Sequence, residues 1–125
     1  MKIAVSSLGQ TLDSEVNPRF GRAEYFIVVE TESMEFEVLS NDNSTGSGGA
    51  GIGTGKLLVD ANVQAVLTGN CGPNAQKTLS AAGIKLYIGV SGTISEAIES
   101  FKSGKLNETS KPNVDAHFGM GNANG

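Results

Sequence analysis

The chain predicts an α/β fold: a three-layer α/β/α sandwich built on a five-stranded mixed sheet, followed by a flexible tail. Three observations carry that expectation. Short apolar runs recur as IAV, YFIVV, AVL and KLYI, the signature of buried strands. Stretches with helical spacing separate the later runs, so strands and helices alternate there. Glycine and proline punctuate the joins, as element boundaries require.

Taken in order, Lys2–Ser6 is a strand with Ile3-Ala4-Val5 at its centre. Ser7–Arg22 is a long polar connection containing Gly9, Pro18 and Gly21, too irregular for a helix. Tyr25–Val29 and Phe36–Leu39 flank the turn Glu30-Thr31-Glu32-Ser33 and form a hairpin. Glu35 and Glu37 alternate with Phe36 and Val38, so one face of that hairpin meets water. A helix follows, its first turn inside a glycine-rich run and its apolar residues Ile52, Leu57, Leu58 and Val59.

Val63–Leu67 is the next strand. Pro73 then opens a helix, where its missing N–H is not needed, and Gly83 closes it. Ile84–Ile88 is the fifth strand. Thr93 and Glu96 stand at capping-box spacing, and Ile94, Ala97, Ile98 and Phe101 line one helical face up to Gly104. The expected order is β-β-β-α-β-α-β-α. Residues 1–112 are expected as one domain and 113–125 as a flexible Gly/Asn-rich tail. Ligands of such sheets sit at the carboxyl ends of the strands. The loops there would be Ser6–Phe20, Asn41–Gly51 and Gly69–Pro73.

Composition narrows the function. With 125 residues and 38% apolar content the chain is long enough for one real core. A net charge of −4 argues against nucleic acid or an anionic membrane surface as partner. A single cysteine allows no internal disulfide, which suits a reducing compartment. MKIAVSS lacks the apolar stretch of a signal peptide, and no segment nears the ~20 apolar residues of a membrane span, so a cytoplasmic location is expected.

The run Thr45–Lys56, TGSGGAGIGTGK, raises the question of function. Glycine loses the most freedom on folding, so such a run is either a loose turn or a backbone lying close to an anion. It is not a P-loop. Gly55-Lys56 is present, but Ala50 stands where a glycine is required and Leu57 where magnesium needs a hydroxyl. Gly46, Gly48 and Gly51 match the dinucleotide fingerprint in spacing. Asp60, however, ends the helix instead of following a second strand about twenty residues on. What remains is a glycine loop leading into a helix N-terminus, which offers free N–H groups and a partial positive charge. Gly48, Gly49 and Gly51 are its candidate donors.

Other groups join it. Arg19-Phe20-Gly21-Arg22 sets two guanidinium groups around a tight turn, and these suit a bulky anion; an ion pair of Arg22 with Glu24 is the plainer alternative. Asn70, Cys71 and Gly72 precede a helix N-terminus, where a thiol tends toward thiolate, a soft metal ligand; a small buried residue in a tight turn is the alternative there. His117 is the only histidine and lies in the tail, where it is a further metal-ligand candidate. No catalytic constellation emerges. Cys71 has no fixed base, and there is no zinc or iron–sulfur spacing, so the chain is not expected to be an enzyme.

Several segments together resemble one family. MKIAVSS, VNPRFGRAEYFIVVE, GGAGIGTGKLLVDANVQAVLTGNCGPNA and LSAAGIKLYIGVSGTISEAIESFKSGKL, in that order and spacing, are similar to the dinitrogenase iron–molybdenum cofactor-binding family. That family takes in NifX-type carriers, the C-terminal domain of NifB-type proteins and the stand-alone orange-protein-like group of anaerobes. The resemblance spans about Met1–Asn113. It implies a ribonuclease-H-like fold without nuclease activity and binding of a metal–sulfur cluster containing molybdenum, iron or both. It also implies association with MinD/Mrp-type ATPases or cluster-assembly proteins. Many members have His-Phe-Gly-Arg where this chain has Arg19-Phe20-Gly21-Arg22, so an imidazole ligand is absent at that position. Binding would then fall to guanidinium and N–H groups, with Cys71. Two other readings stay open: a metal-free regulatory or protein-interaction module, and a sensor of small anions or nucleotides.

Overall fold

The structure is a computed structural model describing residues 1–41 and 50–109. It contains strands β1 (Lys2–Ser7), β2 (Tyr25–Glu30), β3 (Phe36–Ser40), β4 (Ala65–Leu67), β5 (Lys85–Tyr87) and β6 (Glu108–Thr109). The helices are α1 (Ala50–Asp60), α2 (Pro73–Ala81) and α3 (Ile94–Lys102). The strands form one sheet in the order β3-β2-β1-β4-β5-β6. The centre, β1-β4-β5, is parallel, while β2, β3 and β6 run antiparallel to their neighbours.

Strand alternation sorts the core onto two faces. Ala4, Phe26, Val28, Val66 and Leu86 pack against Leu58 of α1 and Ala75 and Leu79 of α2. Ile3, Val5, Ile27, Val29, Ala65 and Leu67 pack against Ile94, Ala97 and Ile98 of α3. The expected three layers are therefore present. The sheet has six strands where five were expected. The sixth is only two residues long, and its pairing comes from Leu86 and Tyr87 rather than from any apolar period of its own.

Chain direction sets up the site. From β1 the chain turns back into β2, whereas β4 lies on the other side of β1 and parallel to it. The carboxyl ends of β1 and β4 therefore release their loops side by side at the point where the strand order reverses, the usual place for a ligand crevice. Among the described residues no helix is long and apolar enough to cross a membrane.

Candidate functional site

Two loops meet at that crevice. The loop after β1 is tied down by Asn17, whose N–H donates to the Ser6 carbonyl at 2.8 Å. Asn17 Oδ1 then accepts the Arg19 N–H at 2.9 Å. Across the crevice the Phe20 N–H donates to the Asn70 carbonyl at 3.1 Å, and Asn70 Nδ2 donates to the Pro18 carbonyl at 3.1 Å. Phe20 anchors the loop from below, 1% exposed and edge-to-face with Phe26 at 5.3 Å. Gly69 makes the approach possible. A Cβ there would stand 2.7 Å from Pro18 Cα and 2.8 Å from its carbonyl oxygen, closer than atoms pack.

The result is a depression of about 220 Å³ lined by Arg19, Phe20, Gly21, Asn70, Cys71 and Gly72. No carboxylate is among these residues, and Arg19 is exposed. Gly72 is the N-cap of α2, which has no side-chain cap and carries Pro73 in its first turn. The Gln76 N–H makes the first intrahelical bond, to the Gly72 carbonyl at 3.0 Å, and the Asn74 and Ala75 amides before it have no acceptor within the helix, so this end of α2 carries partial positive charge beside the depression. Gly72 has φ −81° and ψ 175°, which any residue adopts, and nothing lies within 4 Å of where its Cβ would be. Neither backbone strain nor crowding requires a glycine there. Its absent side chain leaves that space free.

A larger cleft of about 390 Å³ lies at the opposite end of the sheet, among Lys2, Val28, Glu30, Glu35, Phe36 and Glu37. Its carboxylates repel an anion, so its size does not make it the anion site.

The other predicted site residues divide. Arg22 is exposed and in the same turn, but it does not line the depression. Gly51 falls in the first turn of α1. Gly48, Gly49, His117 and the segment 113–125 lie outside the described residues. The glycine run nonetheless has an anchor on this rim. Asn41, just before it, is 4% exposed and donates from Nδ2 to the Ala23 carbonyl at 2.8 Å and to Thr54 Oγ1 of α1 at 3.0 Å. Its N–H donates to the Glu24 carbonyl at 2.8 Å. One side chain thus joins the end of β3 to α1 and to Ala23, the residue after Arg22.

The thiolate expected at Cys71 is corrected. Proximity to a helix N-terminus favours ionisation, but burial wins: the residue is 1% exposed and desolvation pushes its thiol up to about 12. Cys71 Sγ lies 3.7 Å from the Gly72 carbonyl oxygen, within reach of a weak S–H donation. Among the described residues no three His, Cys, Asp or Glu side chains gather. The donors present fit an anion held by N–H groups and charge. They do not fit a bare metal ion.

Sequence reasoning missed Ser6, Asn17, Asn41, Thr54, Thr68 and Gly69. Each is a buried or crowded polar or small residue; Ser6, Thr68 and Gly69 follow apolar runs, whereas Asn17 lies in a polar loop and Thr54 in the glycine run. The end of an apolar run could have pointed to the first three; the others carry no local signal.

The comparisons with known proteins agree with this architecture. The family described as dinitrogenase iron-molybdenum cofactor matches residues 1–104, and the chain belongs to that family. The apo orange protein of Desulfovibrio gigas is 39% identical, with a TM-score of 0.88, covering 90% of this chain and 96% of that one. A NifB-like protein of Thermotoga is 40% identical, with a TM-score of 0.74, covering 88% and 94%. An uncharacterized protein of Methanocaldococcus jannaschii is 31% identical over 110 residues, which is 85% of this chain and 93% of the relative.

Proposed function

We propose that this protein binds and carries a metal–sulfur cluster related to the iron–molybdenum cofactor, as cargo and without catalysing a reaction, in cluster assembly or trafficking. The family supports the cofactor class. The observation that carries the reading is the carboxylate-free depression in which Arg19 faces the uncapped start of α2. A sulfur-rich polyanion is a natural guest for guanidinium and amide donors. Arg19, Gly21, Asn70 and Gly72 would contact it directly, with Phe20 as floor. Arg22 and the amides of Gly48, Gly49 and Gly51 would close the rim. Cys71 and His117 would add metal bonds only if the thiol were uncovered and the tail reached the site. A cytoplasmic location and delivery to or from a MinD/Mrp-type ATPase or an assembly protein complete the proposal.

The test is elemental analysis and a visible spectrum of protein isolated without oxygen, followed by titration of metal-free protein with tetrathiomolybdate. Bound molybdenum or iron with a charge-transfer band is expected. The band should be lost in the double variant Arg19→Ala/Arg22→Ala and kept in Cys71→Ser. Protein that holds no metal and takes up no thiomolybdate would sink the proposal and leave a metal-free docking module.

A further inference from the structure

We propose that Ser6 and Thr68 are positioning residues, a buried hydroxyl pair beneath the depression that sets where Arg19 stands. The ligand arm of this inference rests on the cluster-binding reading. Its first arm does not.

Both residues are fully buried. They extend the parallel register of β1 and β4, in which Ala4 faces Val66 and Val5 faces Leu67. The preceding positions on the same face, Ala4 and Val66, are apolar and pack under α1 and α2. Hydroxyls buried at the next step forgo apolar contact, and buried polar groups persist where their hydrogen bonds are made. Ser6 Oγ lies 2.7 Å from the Asn17 carbonyl oxygen, which accepts, and 2.8 Å from Thr68 Oγ1, so one hydroxyl links the loop to the end of β4. The Asn17 N–H returns to the Ser6 carbonyl, so Ser6 grips both backbone groups of Asn17. Asn17 Oδ1 in turn holds the Arg19 N–H. A continuous path therefore runs from the end of β4, through Thr68 and Ser6, to the residue that brings positive charge to the depression. The Phe20 side chain anchors the same loop by packing, which fixes depth better than it fixes the direction of a backbone, while its N–H donates across the crevice to Asn70.

The experiment uses the full chain, labelled for amide exchange, as wild type, Ser6→Ala, Thr68→Val and Thr68→Ser. Thr68→Val keeps the shape and loses the hydroxyl; Thr68→Ser keeps the hydroxyl and serves as the rescue. The reporter is the Phe20 amide, which donates across the crevice to Asn70. Its protection is expected to fall at least tenfold relative to amides of β2 in Ser6→Ala and Thr68→Val, and to stay near wild type in Thr68→Ser. Tetrathiomolybdate affinity should fall at least fivefold in the same two variants and recover in Thr68→Ser. If Phe20 protection falls only in step with β2, or falls equally in Thr68→Ser, the pair is merely structural and the inference is overturned. If wild type takes up no thiomolybdate, the cluster reading fails while the exchange result still decides the positioning. Should Ser6→Ala not fold, the Thr68 pair carries the test.

Discussion

The N-termini of α2 and α3 are built to opposite plans. At α3, Thr93 Oγ1 accepts the Glu96 N–H at 3.1 Å and Glu96 Oε1 accepts the Thr93 N–H at 2.9 Å. The next two amides are also satisfied, Ile94 by the Ser14 carbonyl at 2.8 Å and Ser95 by the Leu12 carbonyl at 3.0 Å. At α2 there is a glycine N-cap, no side-chain cap and open space. Both helices are nine residues long. A capped end stabilises the fold and binds nothing further. A bare end forgoes that stabilisation, and under the proposed function its donors serve the guest. The bare end lies beside Arg19 at the rim of the depression.

Several changes would break or sharpen this contrast. The largest effect is expected for Gly69→Ala. Its Cβ meets the Pro18 backbone, which no rotamer relieves, so a loss of ~3 kcal/mol is expected in denaturant unfolding. The depression next to the bare end should open in the same variant, with loss of thiomolybdate binding.

Next comes Cys71, just before the bare cap. Its folded value is raised from 9.0 to about 12, so the unfolded chain ionises first as pH rises. The folded state then binds more protons, and stability must fall with pH. The expected slope is about 1.4 kcal/mol per pH unit, between pH 9 and pH 12. Cys71→Ala should lack this component when unfolding curves are compared across that range. An identical alkaline slope in the variant would show that the thiol is not shielded.

Thr93→Ala should cost about 1 kcal/mol at the capped end and leave anion binding unchanged. Gly72→Asp is the mirror test and the smallest in energy. A carboxylate there supplies the missing cap, so stability should rise by a few tenths of a kcal/mol while thiomolybdate affinity falls. A variant that loses both stability and binding would mean that Gly72 serves the fold and not a ligand.

Much of the architecture was legible in the sequence because its causes are local. IAV and YFIVV read as strands through apolar density, and the capping box of α3 and the proline of α2 announce helix starts within a few residues of chain. The loops carrying Arg19 and Asn70 were foreseen at one rim because ligands of such sheets sit at the carboxyl ends of the strands. β6 escaped notice because Glu108-Thr109 has no pattern of its own and pairs only because β5 offers an edge. The ionisation of Cys71 was misjudged because the local signal, a helix N-terminus, points one way and burial, which is non-local, points the other.

By itself, then, the sequence determined the three helices and β1 to β5 in their order, since periodicity and capping act over a few residues. Tertiary structure alone decided that Asn17 would bind Ser6, that Pro18 would lie against Gly69, and that Cys71 would be buried. Those outcomes depend on contacts between residues far apart in the chain. Steric exclusion and desolvation act only once the chain has closed on itself.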